Sequence, residues 1–135
     1  MWAKIAIGTG FAALVAFTSP AFAETRADYF GHWENVDPAT RSIVKVDISP
    51  GPGNKIRVRV YGACHPNPCD WGEAIADQAT LAGSIIYRVN YDQGFAIKHV
   101  RFNINPIGTL KVRTQVNFTD ADGRTDYATD DVFHH

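Results

Sequence analysis

An all-β chain, folded as an antiparallel up-and-down β-barrel of about eight strands, is what this sequence predicts, and three observations predict it. Successive segments alternate apolar and polar residues with the period of two that a half-buried strand requires. Short clusters of Gly, Pro, Asn and Asp separate those segments. The strands number about eight with short connections, and closing such a meander into a barrel removes the exposed edges that an open sheet would leave.

Residues 1–23 stand apart from this pattern. One early positive charge, Lys4, precedes an apolar run from Ile5 to Phe17, and Pro20 leads into Ala21-Phe22-Ala23, with small residues at the two positions a signal peptidase reads. The run is well short of the roughly 20 apolar residues that a membrane span needs. The segment therefore reads as a Sec-type signal peptide cleaved after Ala23, with a periplasmic or secreted product and no membrane span in the mature chain. Residues 24–135 are then a single domain, long enough to bury a real core. They carry 12 basic residues against 14 acidic ones, Lys4 being the only charge removed. That balance gives no bulk electrostatic case for nucleic-acid binding.

The strands follow in order. Tyr29 to Val36 alternates aromatic or apolar with small or polar residues, and Asp37-Pro38-Ala39-Thr40 turns the chain. Val44, Val46 and Ile48 share a face, and residues 49–54 form a Pro- and Gly-rich turn. Ile56, Val58 and Val60 point one way, with Arg57, Arg59 and Tyr61 opposite. Residues 71–77 form the next strand, although Ala74 to Ala82 also fits a helical turn. Ile85, Tyr87, Val89 and Tyr91 alternate with Ile86, Arg88 and Asn90, and Asp92-Gln93-Gly94 turns the chain. In the following strand Phe95 and Ile97 lie in one register, whereas Val100, Phe102 and Ile104 lie in the other; a bulge near Lys98 and His99 would reconcile them. Leu110, Val112, Thr114, Val116 and Phe118 share a face, and residues 125–133 close the chain. With Tyr87, Tyr91 and Thr114 as the inward polar residues, the expected interior is filled by side chains rather than open to a ligand.

The dense cluster of unusual residues is Cys64-His65-Pro66-Asn67-Pro68-Cys69-Asp70-Trp71-Gly72-Glu73. In an exported chain, Cys64 and Cys69 are most simply a disulfide. Pro66 and Pro68 each fix φ and bias the preceding residue toward extended backbone, so the loop is stiff before anything binds it. Such a loop either turns the chain between two strands or presents a recognition surface. For the second role the candidate surface is Arg57, Arg59, His65, Asn67, Asp70, Trp71 and Glu73. A metal site of Cys64, His65, Cys69 and Asp70 competes with the disulfide. A basic stripe of Arg57, Arg59, Lys111 and Arg113 would form if their strands were neighbours.

Gly31-His32-Trp33 followed by Asn35, opening an eight-strand meander, resembles the Gly-x-Trp start of the calycin superfamily, the lipocalins and avidins. The resemblance implies that Trp33 plugs one end of the barrel and that a late-strand arginine, Arg113 or Arg124, packs on it. The larger pattern, with Thr40-Arg41, Cys64-His65-Pro66 and Cys69-Asp70-Trp71-Gly72, also resembles small exported bacterial domains of unassigned activity. The polar, tryptophan-rich ligand pocket of avidins has no counterpart here, so no biotin site is implied.

Three function classes remain: a non-catalytic binding module that contacts a protein, an envelope polymer or a small ligand through the loop; a periplasmic enzyme inhibitor; and a metal-dependent or acid/base enzyme using the same loop. No Ser-His-Asp order, phosphate loop or nucleophile motif is present, so no catalytic residue, resident metal or cofactor is assigned. The sequence points to the binding module.

Overall fold

Eight antiparallel strands close into a barrel in simple chain order in the computed structural model, which describes residues 24–135. They are β1 (Gly31–Asn35), β2 (Ile43–Pro50), β3 (Ile56–Gly62), β4 (Cys69–Leu81), β5 (Ser84–Asp92), β6 (Ala96–Ile104), β7 (Leu110–Phe118) and β8 (Tyr127–His134). The signal-peptide reading falls on residues 1–23, outside the described part of the chain. The all-β, eight-stranded, up-and-down architecture is the one the alternation predicts.

Four local expectations are corrected. Tyr29 and Phe30 do not begin the first strand, because a one-turn 3-10 helix (Arg26–Tyr29) precedes it. Its start is held by the Thr25 N–H donating to the Asp28 carboxylate at 2.7 Å. Residues 74–81 take no helical turn; they complete the 13-residue β4, whose backbone pairs with β3 on one side and β5 on the other. A two-residue turn with positive φ at Ala82 and Gly83 then reverses the chain.

The third correction concerns β6. No bulge interrupts Lys98 and His99: the register against both β5 and β7 is continuous, and Ala96, Lys98, Val100, Phe102 and Ile104 form one inward face. Ile97 faces outward, and Phe95 belongs to the preceding turn. The register shifts lie instead between Ile43 and Lys45 and between Arg59 and Tyr61. The last correction is the basic stripe. β3 neighbours only β2 and β4, while β7 lies between β6 and β8, so Arg57 and Arg59 are on a different wall from Lys111 and Arg113.

The interior is dry at one end. Tyr29, Trp33, Val46, Val58, Tyr87, Phe102, Leu110 and Phe133 are among its fully buried side chains, each worth about 1.5–3 kcal/mol of burial for its apolar part. The 3-10 helix brings Tyr29 across this end as a floor. The Tyr29 hydroxyl donates to the Ile85 carbonyl at 2.8 Å and accepts from the Ile104 N–H at 3.2 Å, tying β5 to β6. Burial holds its phenol well above the ordinary tyrosine pKa. Trp33 is buried, donating its indole N–H to the Tyr29 carbonyl at 2.9 Å. The ring that packs on it is His135, 3.7 Å away between centroids, rather than an arginine. Arg113 pairs with Asp130 on the outer wall, and Arg124 lies over Phe118.

On the outer face, His32 stands opposite Asp47 and hydrogen-bonds its carboxylate at 2.6 Å and that of Glu34 at 2.9 Å. The Asp47 contact first, then the Glu34 contact, raises the His32 pKa above 6.5. The imidazolium therefore contributes stability that is complete below the unfolded value near 6.5 and is lost as pH rises through the higher folded value. The ring and its partners are about half exposed, which keeps the contribution under about 1 kcal/mol.

Two outcomes follow from these contacts. Tyr29→Phe removes the acceptor of a buried N–H and costs about 1–3 kcal/mol in urea unfolding, with an unchanged far-ultraviolet spectrum. His32→Gln lowers the melting temperature slightly at about pH 6, and the deficit shrinks as pH rises through the raised folded value; a deficit that grows with pH would refute the assignment.

Candidate functional site

At the end opposite the floor, where the connections β1–β2, β3–β4, β5–β6 and β7–β8 emerge, the interior opens into a cup of about 830 Å³. The expectation of a filled interior holds for the floor half and fails here. Inward polar side chains that the sequence reading does not place include Asn35, Ser42, Lys98, Thr129 and Asp131. The bulge expected near Lys98 and His99 leaves Lys98 without an inward assignment. The uninterrupted alternation from Ala96 to Ile104 was the signal that places it inside.

Lys98 is the chemical centre of the cup. It lies between Tyr91 and Val116 on the flanking strands, half-buried, with its ammonium 4.2 Å from the centre of the Trp71 ring. Among the described residues no carboxylate lies within ion-pair distance of it. Burial lowers its pKa, and the face of the Trp71 ring offers the ammonium a favourable electrostatic contact.

Trp71 reaches this position through two backbone features. Gly72 adopts φ +94° at the β3–β4 register shift, and the extra residue there turns Trp71 toward the mouth while Glu73 stays on the outer wall opposite Arg59. Gly62 lies under the indole, where a Cβ would stand 2.6 Å from the ring nitrogen, so no larger residue fits without displacing the ring. Tyr91 locks the arrangement: its ring meets Trp71 edge-on at 5.6 Å, and its hydroxyl donates to the Gly72 carbonyl at 3.2 Å.

The cup's opposite wall is built from β8 and the β1–β2 connection. Asn35 is buried, donating to the Ile43 carbonyl at 2.9 Å and to Asp131 at 3.1 Å, while its own carbonyl oxygen accepts from the Asp37 N–H at 2.8 Å. Ser42 and Thr129 share a hydrogen bond at 3.1 Å. Two oxygens on this lining are buried with no partner among the described residues, the Thr114 hydroxyl and one carboxylate oxygen of Asp131. A buried polar atom left unpaired is costly, and here both belong to cup residues. Exposed Phe95 and Tyr127 give the rim an apolar edge.

The disulfide loop forms part of this rim. Cys64 and Cys69 are bridged, with Cα atoms 5.4 Å apart, which removes both thiolates from the alternative metal site with His65 and Asp70. The seven residues of the candidate surface do not share one face. His65 and Asn67 are exposed in the loop, and Trp71 and Asp70 line the cup. Arg57, Arg59 and Glu73 lie on the outer wall of β3 and β4. Asp70 accepts from Arg59 at 2.8 Å with one oxygen and from the Gly72 N–H at 2.8 Å with the other. Asp70 and Glu73 therefore serve Arg59 and the bulge, and no hydrogen bond or ion pair joins either to His65.

No family model, curated protein or solved structure matches this chain. The reading of its site rests on its own geometry.

Replacing both Cys64 and Cys69 with serine lowers stability by about 2 kcal/mol in urea unfolding, the chain-entropy value for so short a ring, and leaves the barrel folded. Loss of folding altogether would show that the bridge holds the barrel and not only its rim.

Proposed function

We propose that this chain is a non-catalytic binding module, exported from a bacterial cell, whose ligand seats in the cup with the disulfide-bracketed loop as one wall of its entrance. The observation that carries this reading is Lys98: a half-buried ammonium inside a concave site, facing an aromatic ring and without a carboxylate partner among the described residues. A charge in such a place is stabilised by whatever anion occupies the cup. The Thr114 hydroxyl and the free Asp131 oxygen supply further hydrogen-bonding positions, while Trp71, Phe95 and Tyr127 offer apolar surface. The ligand class that fits is a small organic acid with a flat apolar portion, its carboxylate on Lys98.

The closed floor and single open end support the likeness to the calycin superfamily, as does the buried Trp33 of the Gly-x-Trp opening. Export accords with the Cys64–Cys69 disulfide and with the apolar leader pattern of residues 1–23. The enzyme reading is weaker, since Asp70 and Glu73 face Arg59. An inhibitor would use the exposed His65–Asn67 tip instead of the cup, and nothing beyond that exposure favours it.

Calorimetric titration with a panel of aromatic carboxylates and their matched amides tests the proposal. The acids bind, the amides bind at least about tenfold more weakly, and Lys98→Met abolishes the difference. Equal binding of acids and amides, or an unchanged preference in Lys98→Met, would refute the role of Lys98.

A further inference from the structure

A second polar feature lies on the outside of the barrel, on the wall of β5, β6 and β7, away from the cup. Arg88 stands directly opposite Arg101, and Arg101 directly opposite Arg113, so three guanidinium-bearing residues form one row across three adjacent strands. At the usual spacing of about 4.8 Å between strands, the row spans about 10 Å. Like charges in directly opposed positions oppose one another, and nothing in the barrel's packing calls for them.

Of the two acidic residues that bracket the row, one is engaged by a lysine outside it and the other neutralises Arg113 alone. Asp77, opposite Arg88, is held by Lys55 at 2.6 Å. Asp130, opposite Arg113, pairs with that arginine at 2.7 Å. Arg88 and Arg101 have no acidic partner within 4.0 Å among the described residues. In a mature chain with more acidic than basic residues, this is a local concentration of unmatched positive charge.

The row lies in a shallow groove of about 630 Å³. Above it runs a second cross-strand row, Asn90 opposite His99 and His99 opposite Gln115. The His99 Nδ1–H donates to the Asn90 side-chain oxygen at 2.8 Å, which fixes the ring and leaves Nε2 available. Two amides and an oriented imidazole beside a row of guanidinium groups match hydroxyls beside carboxylates. Among the described residues no Phe, Tyr or Trp lines the groove, so it lacks the broad stacking surface on which single-stranded nucleic acids are held.

From this juxtaposition we infer that the β5–β7 wall binds an acidic polysaccharide, a polyuronate whose successive carboxylates are received by Arg88 and Arg101 and whose ring hydroxyls meet Asn90, His99 and Gln115. Arginine suits the first task because its planar fork receives a carboxylate through two parallel hydrogen bonds. This site is separate from the cup, and either assignment stands without the other.

The probe is an oligogalacturonate of about ten residues, titrated against the full chain at about 50 mM salt, where surface charges are weakly screened. The wild type binds it, and Arg88→Gln/Arg101→Gln weakens binding by at least about tenfold. Lys45→Gln, a charge removed from the distant β2 wall, leaves binding unchanged. The melting temperature of the double variant is equal to or above that of the wild type, since opposed like charges are relieved; a fall would assign the row a structural role instead. Arg101→Lys keeps the charge and loses the fork, and weakens binding to an intermediate degree. Absence of wild-type binding, an equal loss in Lys45→Gln, or equal affinity for a DNA duplex of matched charge would overturn the inference.

Discussion

A barrel exists only if its first and last strands meet, and here that meeting is narrow. β1 has five residues, and it joins β8 through the pairs Glu34–His134 and Asn35–Phe133, extended by the Val36 N–H donating to the Val132 carbonyl at 2.9 Å. Every other neighbouring pair is longer. The seam is strengthened from both sides of the wall. Inside, Asn35 reaches Asp131 on β8 while gripping Ile43 on β2, so one buried amide spans three strands. At the floor, the His135 ring lies on Trp33 and its Nδ1 meets the His32 carbonyl at 3.2 Å. The Gly31-His32-Trp33-Glu34-Asn35 stretch thus supplies the closing strand, the floor plug and the polar clasp within five residues.

Closure at the seam allows the interior to be divided along the barrel axis. The floor half is packed with Val, Ile, Leu, Phe and Tyr, and the polar atoms of Tyr29 and Trp33 are satisfied there by backbone groups. The mouth half carries Ser42, Lys98, Thr114, Thr129 and Asp131 on the same inward faces. A strand facing an apolar core at one end and a polar-lined cup at the other keeps its alternation but changes its chemistry along its length. β6 shows the change in one element, running from Lys98 at the mouth through Val100 and Phe102 to Ile104 near the floor. The long aliphatic stem of Lys98 lets one side chain take part in both halves, its methylenes among apolar neighbours and its charge over Trp71.

Much of this fold was legible because period-two patterning, turn chemistry and the cysteine pair are local signals. Ile56, Val58 and Val60 needed no tertiary information to be placed inward. The candidate site was less legible, for reasons that lie in particular residues. A charged residue between inward apolar ones reads as a break in register, so the sequence suggests a bulge at Lys98 and His99 and leaves Lys98 out of the inward set. Trp71 is aimed by a positive-φ glycine and by the absence of a side chain at Gly62, a neighbour on another strand. The arginine row was hidden altogether, because Arg88, Arg101 and Arg113 are aligned only by the register of three strands. Arg57 and Arg113 looked equally eligible until strand order separated them.

The two ends of the described chain meet at the floor. Glu24 accepts a hydrogen bond from the Ile85 N–H at 3.0 Å, beside the start of β5, and His135 covers Trp33. The polypeptide therefore enters and leaves through the same pole, and the mouth is made wholly from internal connections. A support joined next to Glu24 or His135 meets the barrel at its floor, on the side away from the cup. On such a surface each molecule is an open vessel whose mouth lies opposite its point of attachment.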